Sequence, residues 1–443
     1  MTFRDGDFEY EERDEGLRLI SYLGEDREVT VPSHAGGRPV RIIARHAFFE
    51  NGQMIERLTL PDTLREIESL AFELCLNMRT VVIPEGLEII RREAFLSGAL
   101  EVLHLPSSVR EIEEPGLFDM ALAVDPADPI YHYDGYGLYK KTEAGLSLET
   151  VDPKDRRVFY AVAEGTTALR RGALDAHEYL ESISLPKSLT DLPDYALINS
   201  MNPYSNLSGI TEIVVHEDNP RYFTENGRLF ERLEDGTCRL IRFFGREWEY
   251  TVEGNVSDIA PCAFLKTPLR RITIPRTVRH FHPEAFVGSH VRELIFEERD
   301  LTIRFPKNHD HRLYGLLKNF GKNGCFYDFT AYDKFLLENT EWIDGDRVRM
   351  LLSRLGDHED MTEEKRGAIR AKIEDNFEKI IGIIAGENDL SALEKLAAFG
   401  FFTADNIDTA IERCGSEGRK EAMAVLMEEK HKTIGFEEFD FSL

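Results

Sequence analysis

The stretch LTLPDTLREIESLAF, Leu58–Phe72, decides how the chain is read. Leu58 and Leu60 flank Thr59, so two apolar side chains share one face of a short strand and the threonine takes the other. Pro61 then ends the ladder, because it has no N–H to donate. Leu64, Ile67, Ala71 and Phe72 follow three, six, ten and eleven residues after the proline. The same order returns as VVIPEGLEIIRREAF (Val81–Phe95), LHLPSSVREIEEPGLF (Leu103–Phe118), ISLPKSLTDLPDYAL (Ile183–Leu197) and ITIPRTVRHFHPEAF (Ile272–Phe286). Two copies lack the proline, YAVAEGTTALRRGAL (Tyr160–Leu174) and YTVEGNVSDIAPCAF (Tyr250–Phe264), and the first is stretched, VTVPSHAGGRPVRIIARHAF (Val29–Phe48). Pro61 to Pro84 is 23 residues and Pro84 to Pro106 is 22.

A period in the low twenties predicts a solenoid, in which each copy is one coil and stacked coils bury a continuous core. The inward strand pair and the later apolar positions pile into columns. The small alanine lets backbones approach and the phenylalanine fills the core. At about 4.8 Å per strand, roughly nine coils span about 40 Å. The pattern L-x-I-P-x-x-h-x-x-I-x-x-x-A-F, with h apolar, resembles the BspA-type leucine-rich repeat family, and the resemblance covers roughly residues 1–300. The stretched SHAGGRPVRIIARHAF is similar to that family's opening coil. Proline stands where better-known leucine-rich repeats carry an asparagine after the strand. The resemblance implies protein–protein recognition, often at a cell surface.

The expected fold class is α+β: a leucine-rich-repeat β-solenoid with a parallel sheet and inserted β-hairpins, followed by an all-α domain of helical pairs. Residues 1–30 read as an N-terminal β cap, because FEYEERDEGLRLISYLGEDREVTVP alternates around RDEG and a bare solenoid end would expose core. Residues 31–305 read as the solenoid and 306–443 as an ankyrin-like helical domain with a short acidic tail, EEFDFSL. In the helical part, NDLSALEKLAAFGFF begins at Asn388 or Asp389 and stops at Gly400, and Asp344 starts another helix. Ile407, Ala410, Ile411 and Cys414 share one face, and Ala422, Val425 and Leu426 another. About six helices are expected over 331–431, their simplest role being to cap the solenoid.

Two inserts, about 125–158 and 216–249, break the period. Each carries Asp-Pro or Asn-Pro, then an aromatic residue and a glycine turn, and reads as a hairpin projecting from the rod. Tyr131, Tyr133, Tyr136, Tyr222 and Phe223 are candidate contact residues there, or they pack the hairpins onto the solenoid.

A hydrophobic content of 42% with 30% charged residues suits a folded soluble chain. The net charge of −27 opposes binding to nucleic acid or anionic membrane. The acidic start, MTFRDGDFEYEERDEGLRL, does not read as a secretory signal, and no apolar run is long enough to span a membrane. Five scattered cysteines without a CxxC pair suit reduced thiols, so a cytoplasmic location is expected.

No GxSxG, GxGxxG after a strand, P-loop or HExxH is present. His309 with His311, and His280 with His282, are sparse for a metal; Asp125 with Asp128, and Glu217 with Asp218, suit turns as well as calcium. No cofactor and no enzymatic activity are expected. The better candidate is the outward strand face: Arg57 and Thr59, Thr80 and Val82, Val102 and His104, Ser182 and Ser184, Glu212 and Val214, Arg271 and Thr273, Glu293 and Ile295. Its second member is small, β-branched and nearly uncharged on an acidic protein, which suits recognition of an unknown protein or peptide partner, although threonine and valine suit strands anyway. From this set Arg57, Thr59, Thr80, Val82, His104, Ser182, Ser184, Val214, Arg271, Thr273 and Ile295 are the candidate contact residues. The alternatives are an exported surface adhesin, and an enzyme with its site between solenoid and helices.

Overall fold

The computed structural model describes residues 1–443 apart from 97–98, 114–119, 153–154, 175–178, 198–209, 287, 298–300, 306–326, 339–342 and 435–443. Phe118, His309, His311, Cys325, the start of the helical domain at 306 and the acidic tail lie outside the described residues. The chain forms two compact units, Met1–Leu233 and Glu234–Leu443.

In the first unit each coil contributes two short strands at an angle to one another. The first strands pair in parallel: Glu28–Thr30 with Arg57–Thr59 and Thr80–Val82, then Val102–Leu105 with Ala121–Val124, then Phe159–Ala161 with Ser182–Leu185 and Glu212–Val215. Val29, Leu58 and Val81 stand in register and are buried. Leu60 continues the ladder by donating to the Val82 carbonyl at 3.0 Å, and Pro61 stops it. The proline carbonyl then accepts from the residue three further on, as in Leu64 N to Pro61 O and Val109 N to Pro106 O. The proline thus closes a turn as well as a strand, which fixes the spacing to the next apolar position.

The second strands carry the next core column. Ile43, Ile67, Ile90 and Ile112 align across four parallel strands and are buried. Beyond them, the rings of Tyr22, Phe48, Phe72 and Phe95 follow one another at centroid separations of 5.6, 5.3 and 5.2 Å. In the second unit Phe264 and Phe286 stack at 5.3 Å, and Tyr250, Ile272 and Leu294 repeat the inward strand column.

One backbone feature recurs that the side chains hide. The residue before the core alanine is left-handed in coil after coil: His46 (φ 58°), Leu70 (57°), Glu93 (53°), Tyr195 (71°) and Cys262 (56°). Gly172 (77°) holds the same place before Ala173. This conformation costs a non-glycine residue about 1–2 kcal/mol. Bonds between coils hold it, among them Leu70 N to Arg92 O at 3.2 Å and Phe72 N to Ala94 O at 3.1 Å.

The start is an antiparallel meander, Thr2–Asp5, Phe8–Arg13 and Gly16–Tyr22, turning at Asp14-Glu15. Its last strand pairs in parallel with Arg38–Ile43, so it is built into the second sheet. The first insert does the same. Tyr131–Tyr133, Gly137–Thr142 and Gly145–Val151 are antiparallel, and Gly145–Val151 then pairs in parallel with Thr166–Leu169. The inserts therefore do not project as free hairpins. Their alternating apolar residues continue the core, and Tyr131, Tyr136 and Tyr222 are each 1% exposed. Asp134 locks the insert to the solenoid, accepting from the Tyr160 hydroxyl at 2.7 Å.

In the second unit the strands Glu249–Thr251, Arg271–Ile274 and Glu293–Phe296 are parallel, and Leu301–Arg304 closes the sheet antiparallel to the last of them. Seven helices follow among the described residues: α1 (Phe329–Glu338), α2 (Gly345–Gly356), α3 (Glu363–Glu374), α4 (Phe377–Glu387), α5 (Leu390–Ala398), α6 (Ile407–Ser416) and α7 (Lys420–Ile434). Asp344 caps α2 by accepting from Arg347 N at 2.9 Å, and Asp389 caps α5 by accepting from Ala392 N at 3.1 Å. Gly400, at φ 69°, follows α5 where its stop was expected. Helix α2 packs on the closing strand, and its Ser353 hydroxyl donates to Thr302 O at 2.9 Å.

Between these helices Arg354 is fully buried, bonded to Asp333 at 2.7 Å and lying 3.8 Å from the Phe329 ring centroid. Asp357 stands beside it, 3.8 Å from the guanidinium, and faces Lys395, Glu359 and Asp333 as well. Burial pushes the Asp357 carboxyl up to about 7 despite Arg354. The folded state then holds this proton more tightly than the unfolded chain, so the contribution of Asp357 to stability falls as pH rises from about 4 to about 7. Asp357→Asn is expected to stabilise the protein by on the order of 2 kcal/mol at pH 8 and by much less at pH 5. Urea midpoints of both proteins at the two pH values check this; equal differences at pH 5 and 8 would contradict it.

Candidate functional site

The strand register assembles the expected face column by column. In the first unit one outward column is Thr30, Thr59 and Val82, then His104 and Ala123, then Ala161, Ser184 and Val214. The neighbouring column holds Glu28, Arg57 and Thr80, then Val102 and Ala121, then Phe159, Ser182 and Glu212. In the second unit Thr251, Thr273, Ile295 and Thr302 form the first kind of column. No member of it is an aspartate, glutamate, lysine or arginine in either unit, and each faces outward because a strand alternates between core and surface.

Exposure gives this column and its neighbour their chemistry. Val82, Val102, Phe159 and Val214 are each at least 41% exposed, and the register sets them in adjacent columns of one face. Thr59, Thr80, Ser182, Ser184, Thr273 and Ile295 are half-buried by their strand neighbours, and Arg57 and His104 are exposed. Ser182 donates to Glu212 at 3.0 Å. Arg271 differs from the rest: it pairs with Glu249 and, at 2.8 Å, with Glu293, so its charge is already engaged.

The second sheet is the opposite in character. Arg18 bridges Glu11 (3.1 Å) and Glu68 (2.6 Å), Arg91 bonds Glu66 (2.7 Å) and Glu113, and Arg170 bonds Glu149 (3.0 Å). The hydrogen bonds that Arg91 donates to Glu66 and Glu113 push its guanidinium up further from its ordinary range. A lattice of satisfied ion pairs is well solvated and offers a partner little to desolvate favourably.

The other candidates resolve as turn chemistry. Asp125 accepts from Ala127 N at 2.8 Å, and Asp128 accepts from Ile130 N and Tyr131 N at 2.7 and 2.8 Å. Asn219 does the same for Arg221 N and Tyr222 N in the second insert. His280 and His282 are exposed on either side of the buried Phe281. Among the described residues no cluster has the makings of a metal site, and Cys75, Cys238, Cys262 and Cys414 are buried and not joined in disulfides. Of the insert aromatics, Tyr131, Tyr136 and Tyr222 are core residues, and Phe223 is half-buried, stacked on Phe230 at 5.1 Å.

Phe159, Ala161 and Thr251 were missed because their two coils lack the proline that marks the clearer copies. The alternation Phe159-Tyr160-Ala161 was the signal available. In the helical part a groove of about 540 Å³ runs between α4 and α6, lined by Phe377, Ile381, Thr409, Ala410 and Arg413 among others.

Residues 29–121 and 248–305 match, in six copies, the model of the BspA type leucine rich repeat region. Those two stretches are leucine-rich repeats. Among curated proteins none matches the chain. Similar solved structures include a leucine rich cell surface protein from Faecalibacterium prausnitzii A2-165, at 17% identity and TM-score 0.33, covering 67% of this chain and 95% of that one. Pneumococcal vaccine antigen PcpA is 18% identical at TM-score 0.35, with 67% and 70% covered. A leucine-rich repeat protein from Bacteroides capillosus ATCC 29799 is 28% identical at TM-score 0.25, over 28% of this chain and 98% of that one. No helix of the described residues is long and apolar enough to cross a membrane.

Proposed function

We propose that the leucine-rich repeats form a non-enzymatic interaction scaffold that binds a protein or peptide through the outward face of the first-strand sheets. The observation that supports this is the column from Thr30 to Val214, which holds no aspartate, glutamate, lysine or arginine, beside exposed Val102 and Phe159 on a chain of net charge −27. Parallel sheets are usually covered on both faces. A partner that covers the uncharged column desolvates methyl groups and a few hydroxyls, the inexpensive kind of burial, while Glu28 and Glu212 stand in the column beside it. The ion-paired second sheet then serves as the solvated side.

Thr59→Glu combined with Ser184→Glu and Thr273→Glu tests the reading. The three positions are half-exposed, so the fold tolerates the change. An unpaired carboxylate buried under a partner costs about 2–5 kcal/mol, so affinity for a partner captured from native lysate should fall at least about tenfold. A partner retained with unchanged affinity would remove the face from consideration and turn attention to the groove between α4 and α6.

A further inference from the structure

A smaller cleft, which shares Arg271 and Glu293 with the outward strand face, lies where the last strands of the second unit meet α2 and α5. It encloses about 200 Å³ and is lined by Arg271, Glu293, Arg304, Arg349, Asp389 and Lys395, with the small residues Ser391 and Ala392 at one wall. The fold brings them together from far apart in sequence. Arg271 and Glu293 face each other on parallel strands, and Arg304 stands opposite Glu293 on the closing strand. Arg349 comes from α2, Asp389 is the cap of α5, and Lys395 lies further along α5.

Both carboxylates are engaged. Glu293 accepts from Arg271 at 2.8 Å and is paired with Arg304. Asp389 accepts from Arg349 at 2.6 Å and from the Ala392 amide at 3.1 Å. Glu249, Asp346 and Glu387 hold the outer edges of Arg271 and Arg349, so these two arginines are fixed in place. The donors are not matched in the same way. Lys395 is half-buried and has no hydrogen bond or ion pair among the described residues. Burial, with the charge of Arg304 beside it, lowers its proton affinity although Asp357, Glu293 and Asp389 act the other way. The Arg304 Nε is buried and also lacks a hydrogen-bond partner. Unsatisfied buried donors are rare in folded proteins and mark a missing acceptor. An oxyanion supplies several acceptors at once and suits both guanidinium and ammonium groups.

We propose that this cleft binds an oxyanion of phosphate size, free or as a monoester, with Lys395 and Arg304 as its principal donors. The test is calorimetric titration of the full chain with inorganic phosphate and, separately, with phosphoserine, each against sodium chloride of equal ionic strength. Saturable one-to-one binding of either ligand is expected, at least tenfold weaker in Lys395→Met and unchanged in Lys187→Met, a surface variant in the first unit that is no part of the cleft. Tighter binding of phosphoserine would assign the site to a monoester. Absence of saturable binding of both ligands to the wild type would overturn the proposal, and that arm needs no variant to fold. Equal affinity in wild type and Lys395→Met would overturn it too. Neither failure decides the contact-face reading: Arg271 and Glu293 belong to both places, but the uncharged column of that face includes neither Lys395 nor Arg304.

Discussion

Phe72→Ala will lower the stability of the Met1–Leu233 unit by about 3–5 kcal/mol. Phe72 is fully buried, with Phe48 at 5.3 Å on one side and Phe95 at 5.2 Å on the other. Truncation removes the transfer energy of the ring, leaves a cavity, and breaks two ring contacts worth about 0.5–1.5 kcal/mol each. In a stack where each coil touches only its neighbours, that loss falls on the interfaces that make unfolding cooperative. The neighbouring Phe49 is 40% exposed, and Phe49→Ala should stay within about 1 kcal/mol. Urea denaturation of the two variants separates them. A cost below about 1 kcal/mol for Phe72→Ala would mean that the ring column does not hold the coils together.

The second large effect comes from comparing the two inserts. Asn219 and Asp128 occupy the same turn, each accepting from the amides two and three residues on. Asn219 also donates, through Nδ2, to Pro186 O at 2.9 Å and Leu189 O at 3.0 Å in the preceding coil. Asp128 has no such donor. Its Oδ2 is buried without a hydrogen-bond partner, in a residue only 1% exposed. By the equivalence of the repeats, the matching carbonyls in the coil before Asp128 are those of Pro106 and Val109. A buried polar atom left unmatched costs about 1–3 kcal/mol, and more when charged. Asp128→Asn should therefore raise stability by about 1–2 kcal/mol, and Asn219→Asp should lower it by about 2–4 kcal/mol. Thermal midpoints of the pair check both signs at once. A stabilised Asn219→Asp, or a destabilised Asp128→Asn, would show that the two turns are not equivalent.

Much of this architecture was legible because a coil repeats its instructions. Leu58, Pro61, Leu64, Ile67, Ala71 and Phe72 all take the roles that their spacing implies, and Asp344 and Asp389 cap helices where they stand in the sequence. The outward columns were legible where a proline marks the coil, since alternation across a strand decides them, but Phe159, Ala161 and Thr251 lie in coils without it. The insert aromatics were not. Whether Tyr131 and Tyr136 face solvent depends on Gly145–Val151 joining the second sheet, a pairing with Thr166–Leu169 that local sequence does not announce. The left-handed positions escaped for another reason: His46, Leu70, Glu93 and Cys262 share no side-chain property, and contacts between coils override their preference. The cleft around Lys395 escaped because Arg271, Glu293, Arg304, Arg349 and Asp389 meet only through the packing of α2 and α5 on the closing strand.

The central claim is that a partner covers the first-strand face and leaves the ion-paired sheet in water. The most direct measurement places a photoactivatable cross-linking residue at Thr59 in one preparation and at Ile89 in another, then irradiates both in native lysate. Thr59 lies on the uncharged column and Ile89 on the second sheet beside Glu66 and Glu111, and both are half-exposed. The account predicts a discrete cross-linked protein from Thr59 that Ser184→Glu suppresses, and none from Ile89. Cross-linking from Ile89 in place of Thr59 would contradict it.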